Sequence, residues 1–441
     1  MSDIKDEKTS VGYEPDFSST TYETDFEFGK SGYDVDRTNG STSFYAYYNI
    51  VCLVAGTGML GLSSALKQGG WAGLVMVLLA WWMSSYTAVI MQKCMYKGKN
   101  RRLASFKEIA TESFGAIGGW VSFFFTTWIY LGTPVLYLVL AAQNMNQLCA
   151  GTAGEIGRLP WTIIWCVVVG IPYIFLKSMN NIAWTSAFGM IAIMGTILIT
   201  IVLAGIDAPN QVDTSNHDNV IWEGFPIALA TISFSFGGNV VYPNVEASMK
   251  NPKKWPITVV GGLSTCAMMY IAIAVCGYYV YGSDVVNPIY NSTPDGPART
   301  VAIVLITVNV VVSAPIMLVS FALDVEDMLN VTVEKWGKTK EFILRFLLRT
   351  GIMVFVAVVG ILIPFFDLLM SLIGAFANCA VILIFPVLFY LRLTGFRNKN
   401  ILQHFWHFLI VLVGLVGLIF GTWTAIEDLI DAFADGYEYS I

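Results

Sequence analysis

Residues 49–62 read Asn-Ile-Val-Cys-Leu-Val-Ala-Gly-Thr-Gly-Met-Leu-Gly-Leu, and residues 234–240 read Phe-Ser-Phe-Gly-Gly-Asn-Val. Each is a hydrophobic stretch interrupted at its middle by small and polar residues, Ala55-Gly56-Thr57-Gly58 in one and Ser235-Phe236-Gly237-Gly238-Asn239 in the other, about 180 residues apart. A helix that unwinds inside a bilayer exposes N–H and C=O groups that lipid cannot hydrogen-bond, so a polar partner must meet them there. Breaks at matching places in two halves of a chain suit a small zwitterion or ion held between half-helix ends near the midplane.

Composition points the same way. Of 441 residues, 56% are hydrophobic and 13% charged, with a mean hydropathy of +0.64, which is too apolar for a soluble chain of this size and fits an all-α polytopic membrane protein. The net charge of −6 does not signal a cationic partner, because residues 1–42 alone hold ten acidic and four basic side chains. That segment is rich in Ser, Thr, Tyr, Asp and Glu and is expected to be a disordered acidic cytosolic tail. It has no basic region followed by an apolar run, so it is not read as a cleaved leader. The seven cysteines show neither paired nor metal-ligand spacing and are read as small apolar packers. No metal, cofactor or nucleic-acid partner is expected.

Apolar windows of about 20 residues, the length that crosses a bilayer, fit about eleven times. They fall near 44–66, 71–95, 119–148, 160–177, 181–206, 224–246, 255–281, 299–324, 342–363, 366–391 and 405–430. The expected domains are the tail (1–42), a transmembrane domain (43–432) and a short far-side tail (433–441). Basic residues cluster after segments two, four, six, eight and ten, for example Lys93, Arg102, Lys177, Lys253, Arg345 and Arg392, whereas the 207–223 loop has four acidic residues and no basic one. This bias places the amino terminus in the cytosol and the carboxyl terminus on the lumenal or extracellular side. The sequon at Asn291 lies on that far side. Segments one and six correspond if ten helices form two inverted halves of five, with an eleventh outside the repeat.

Several residues are candidates for the site. Ala55, Gly56, Thr57 and Gly58 offer unwound amides that suit a carboxylate, and Ser235, Phe236 and Gly237 would face them. The alternative for such glycines is close helix packing. Thr126, Tyr130, Thr133 and Tyr137 share one helical face, which suits either a cavity wall or helix-to-helix hydrogen bonding. Asn309, Ser313, Ser320 and Asp324 share another. Glu246, Asp324 and Asp367 are the carboxylates nearest the hydrocarbon, where charge is costly; each suits either proton coupling or interfacial water. No nucleotide-binding loop, zinc spacing or catalytic triad accompanies these features, so neither an enzyme nor an ATP-driven pump is expected.

These stretches resemble the amino acid/auxin permease family, especially its vacuolar amino acid transporter branch, which is itself similar to the vesicular inhibitory amino acid transporters. The resemblance rests on 49–73 with Gly56, Gly58, Leu60, Gly69 and Gly70, on 234–252 (FSFGGNVVYPNVEASMKNP), and on 367–391 with Gly374 and Pro386. It spans residues 42–430. It implies an inverted five-plus-five, leucine-transporter-like arrangement and secondary transport of amino acids, often driven by protons, in the vacuole or another endomembrane or at the plasma membrane. Some proton-coupled members of the family carry Glu at the position of Glu246, and relatives often carry Glu at that of Asp324. Neutral substrates are expected because no Lys, Arg, Asp or Glu lies beside either break. Sodium remains the alternative coupling ion. An amino-acid sensor signalling through the tail is the competing class, and a passive channel is a third.

Overall fold

The computed structural model describes residues 37–38, 40–97, 102–175, 183–213, 215–397 and 399–434. The expectation of disorder for residues 1–36 and the far-side tail 435–441 lie outside them. The first apolar segment is two helices, α1 (Ser43–Val54) and α2 (Leu62–Gly69), joined through a 3-10 turn (Thr57–Gly61) and bent by 43°. Gly70 then turns the chain with φ of +70°, where an added Cβ would strike the Asp218 carbonyl. Then come α3 (Ala72–Met95), α4 (Phe106–Leu148), α5 (Arg158–Phe175) and α6 (Ala183–Gln211).

The sixth segment is again split, into α7 (Phe225–Ser235) and α8 (Tyr242–Ser248). It is followed by α9 (Trp255–Tyr281), α10 (Pro297–Met328) and α11 (Val333–Leu362). The tenth segment is α12 (Phe366–Ile373), a π-helical stretch over Gly374–Ile384 and α13 (Phe385–Thr394). The last is α14 (Ile401–Val416), a π turn (Gly417–Gly421) and α15 (Thr422–Ala434).

Among the described residues nine helices are long and apolar enough to cross a membrane, and the bent pair of α1 and α2 makes ten. The expected count of eleven is reached only if α7 and α8 are taken as one broken span, because the break leaves α7 with 11 residues, too few to cross alone. No β-strand occurs among the described residues; Ser41 and Met249 form an isolated bridge. The connection expected over 325–341 is shorter than that, since α10 runs to Met328 and α11 begins at Val333 and kinks at Gly337.

Helix α4 is longer than its apolar window. Ser105 caps it by accepting from Glu108 N at 3.2 Å while the Glu108 carboxylate accepts from Ala104 N at 2.8 Å, a reciprocal arrangement that fixes the first turn. Phe114 and Gly115 then leave helical geometry, Gly115 with φ of +70°, before the apolar run begins. Helices α1, α2, α3, α7 and α9 pack among themselves, and α4, α5, α6, α10 and α11 form a second group that meets the first where α6 packs on α9 and α1, with α12 and the π stretch lying against α4 and α7.

Candidate functional site

The two breaks lie side by side. In the first, Ala55 N still donates to Val51 at 2.8 Å, but ψ of 57° at Ala55 ends the helix, and Gly56 N turns back onto Val54 at 2.7 Å. In the second, Phe236 N and Gly237 N close the last turn on Ile232 and Phe234, at 3.3 and 3.0 Å. Gly58 abuts Ser235 directly: an added Cβ would fall 2.6 Å from the Ser235 Cα. Phe236 is buried, its ring edge-on to Tyr270 at 5.1 Å. The Tyr270 hydroxyl, projecting from α9, lies 2.6 Å from the Val54 carbonyl and 2.5 Å from the Ser235 carbonyl, so one donor serves a helix end on each side.

Polar side chains converge on the breaks. Tyr137 places its hydroxyl over Gly56, 3.6 Å from where a Cβ would stand, and beside Thr57. Thr57 Oγ1, Asn239 Oδ1, Tyr242 Oη and Asn378 Oδ1 are buried and have no hydrogen-bond partner among the described residues. Asn378, from the π stretch, is against Gly237, and Tyr242 against Gly238. A buried polar atom without a partner costs about 1–3 kcal/mol. Four such atoms around two unwound segments suit a polar ligand better than a packing interface does.

A cavity of about 710 Å³ borders the second break at Val240. Its mouth carries the exposed Ala104, Glu112 and Asp327, and its floor the buried Thr126 and Tyr130. Val240, in the second break, and Asn244, in α8, form one wall, with Asp324 and Lys107 also lining it. The stripe read along α4 thus divides: Thr126 and Tyr130 line the cavity, and Tyr137 meets the first break. Pro134 within α4 has no N–H to give the Tyr130 carbonyl, which leaves that group without its intrahelical donor.

The α10 stripe also divides. Asp324 lines the cavity. Asn309 instead faces α6, where a Cβ on Gly189 would be 2.6 Å from its Oδ1, and Ser320 Oγ donates back to the Ile316 carbonyl at 2.9 Å. Glu246 is away from the cavity lining and fully buried, with Arg102 Nε at 2.9 Å, Arg37 Nη2 at 3.4 Å and the Tyr96 hydroxyl at 2.7 Å. Interfacial water is therefore not its environment. Asp367 opens α12.

Sequence reasoning missed Tyr270, Asn378, Tyr96 and the pairing of Arg37 and Arg102 with Glu246. The last had a signal: a glutamate in an apolar run calls for a cation, and Arg102 and Arg37 were counted only toward loop and tail charge. The other three sit in apolar helices with nothing in their spacing to mark them.

Comparison with known proteins places this geometry in context. By fold, 93% of the chain superposes on 95% of a solved structure titled as an inward-facing conformation of Mhp1 (TM-score 0.60, 13% identity). It also matches a manganese transporter of Eremococcus coleocola, solved with an aromatic bis-isothiourea compound (TM-score 0.54, 13% identity, 92% of this chain and 91% of that one). The fold is that of leucine-transporter-like carriers. By sequence, amino acid transporter AVT1J of Arabidopsis thaliana is 28% identical over 406 residues, 89% of this chain and 93% of that protein. The proton-coupled amino acid transporter-like protein pathetic of Drosophila melanogaster is 27% identical over 407 residues, 86% of this chain and 83% of that protein. The profile of the transmembrane amino acid transporter proteins matches residues 39–427. The chain is an integral multi-pass membrane protein and not an enzyme, and it belongs to the transmembrane amino acid transporter family.

Proposed function

We propose that this amino acid transporter is a secondary active carrier of neutral amino acids, linked to protons, that works by alternating access around the α1–α2 and α7–α8 breaks. The observation that carries the reading is the juxtaposition of the two breaks under one buried set of unpartnered polar atoms, with a cavity that borders the second break at Val240. Amides at Thr57 and Gly58 suit the substrate carboxylate, Gly56 N being turned onto the Val54 carbonyl. The carbonyls at Val54 and Ser235, now sharing Tyr270, and the free oxygens of Thr57 and Asn378 suit its ammonium group. No Lys, Arg, Asp or Glu stands beside either break, which favours neutral side chains.

Of the carboxylates, Asp324 is the one assigned the proton, because it lines the cavity beside Tyr130 without an ion pair among the described residues. A group that exchanges protons needs that access. The Drosophila relative's name, which includes proton coupling, supports protons as the coupling ion. The resemblance to the vacuolar branch favours an endomembrane. The connection after α3, which borders the cavity and carries Lys93, Arg102 and Lys107 in and around it, favours a cytosolic opening by the same charge bias, hence a cytosol-open state and a cytosolic amino terminus.

The test is uptake by the purified protein in lipid vesicles, with a panel of labelled amino acids and an imposed pH gradient, then a sodium gradient. Saturable, pH-driven accumulation of neutral amino acids is the expected result. Binding without flux points to a sensor, and sodium-driven uptake overturns the proton assignment.

A further inference from the structure

The chain just before α1 and the chain just after α8 are joined backbone to backbone. Ser41 N donates to the Ser248 carbonyl at 2.7 Å, and Lys250 N donates to the Ser41 carbonyl at 2.9 Å. Four residues earlier, Arg37 Nη1 donates to the carbonyls of Glu246 and Met249, at 2.8 and 2.7 Å. The final carbonyls of a helix have no intrahelical donors, so the guanidinium completes the end of α8.

The same guanidinium takes part in a buried charge cluster. Its Nη2 donates to the Tyr96 hydroxyl at 2.9 Å and lies 3.4 Å from the Glu246 carboxylate. Arg102, from the connection after α3, brings Nη2 to 2.6 Å from that carboxylate and to 2.6 Å from the Pro243 carbonyl. The Tyr96 hydroxyl, at the end of α3, donates to the carboxylate at 2.7 Å. A fully buried ion cluster is weak as a source of stability, because desolvation offsets its attraction, but it tolerates few alternative arrangements. It therefore fixes how the ends of α1, α3 and α8 sit together.

A second ion cluster does the same for other helices. Glu326 of α10 holds Arg349 at 2.7 Å and Arg345 at 3.2 Å, both from α11, and Arg349 Nη1 donates to the Tyr173 carbonyl of α5 at 3.0 Å.

The geometry points to Glu246 as a positioning residue of the transport cycle. With Arg37 and Arg102 it fastens the chain before α1, the end of α3 and α8 into one body, which moves as a unit against the body fastened by Glu326 and Arg349. Arg37 and Ser41 are thereby part of the moving machinery. This inference rests on the alternating-access reading and assigns Glu246 a mechanical role where Asp324 has the proton.

The test uses a disulfide across the joint. The Ser41 and Ser248 hydroxyls are 3.5 Å apart, so Ser41→Cys with Ser248→Cys can be oxidised in the reconstituted full chain, confirmed by mass spectrometry and reversed with reductant. Uptake of a mixture of labelled neutral amino acids is then measured per oxidised molecule. If the joint stays closed throughout the cycle, oxidation changes the rate by less than about twofold, well below the tenfold that each 1.36 kcal/mol of added barrier would bring. Loss of uptake on oxidation that reduction restores means the two chains separate during transport, and overturns the inference.

The second arm is Glu246→Gln in the same double-cysteine chain. Uptake should fall at least about tenfold before oxidation and recover to within about threefold after it, because the covalent tie replaces the lost charge cluster. Normal uptake in the reduced Glu246→Gln protein overturns the inference, as does no recovery after oxidation in protein that is folded by gel filtration. If that variant does not assemble, the disulfide arm decides alone. Absence of flux in the unmodified protein removes the transport reading and this inference with it; flux that only the disulfide blocks removes this inference alone.

Discussion

Gly58 and Ser235 touch through backbone: a Cβ on Gly58 would stand 2.6 Å from the Ser235 Cα and 2.8 Å from its Oγ. The two breaks are thus held at a distance that only glycine permits on one side. Both readings of the glycine cluster, exposed amides and close packing, describe this same contact. Gly58→Ala should push the breaks apart, at about 1–3 kcal/mol of overpacking, and reduce uptake at least about tenfold with a lower melting temperature in detergent. Gly351→Ala, where a Cβ meets nothing within 4 Å in α11, should leave uptake unchanged. Equal tolerance at both positions would remove the close contact from the account.

Tyr270→Phe deletes the one hydroxyl that reaches the carbonyls of Val54 and Ser235. Both sites are buried, so loss of the donor should cost about 1–3 kcal/mol. Thermal unfolding in detergent measures that cost. Uptake kinetics should show weakened apparent affinity, since the freed carbonyls no longer have a fixed position. A melting temperature and affinity equal to the unmodified protein would show that the hydroxyl is incidental.

Asp324→Asn keeps the size of the side chain but cannot carry a proton. In vesicles the variant should still exchange labelled for unlabelled amino acid across the membrane, yet lose the accumulation that a pH gradient drives. One pH unit supplies about 1.4 kcal/mol per proton, about tenfold in accumulation at one-to-one stoichiometry. Retention of full pH-driven accumulation would move the proton to another group, with Asp367 the next candidate.

The charge bias of the connections predicts opposite fates for the two ends. With tags at both termini and sealed vesicles whose cytosolic face is outward, added protease should remove the amino-terminal tag and spare the carboxyl-terminal one. The same fate for both would require an even number of crossings and undo the pairing of segments one and six.

What could be read from the sequence, and what could not, divides along physical lines. Both breaks were legible because glycine and polar residues inside an apolar run are costly in lipid and stand out at once. Helix positions followed from length and hydropathy, though α4 extends to Phe106 because a capping box, not hydrophobicity, starts it. The π stretch at Gly374–Ile384 left no mark, since its residues are as apolar as their neighbours. The contacts of Tyr270 and Asn378 depend on which helices meet, and periodicity shows only the face of a helix. Thr126 and Tyr130 line the cavity while Asn309, read by the same spacing, faces a neighbouring helix, a difference that spacing has no means of telling.

The breaks present main-chain groups, and main chain is the one part of a protein that no exchange of side chains removes. If the charged groups common to all amino acids are held there, then grip and choice are separate problems in this fold. Tyr137, Phe236 and Asn378 around the breaks can be altered by mutation to admit a different side chain while the hold on the shared part persists. A lineage built this way can change what it carries in small steps, without passing through a protein that carries nothing.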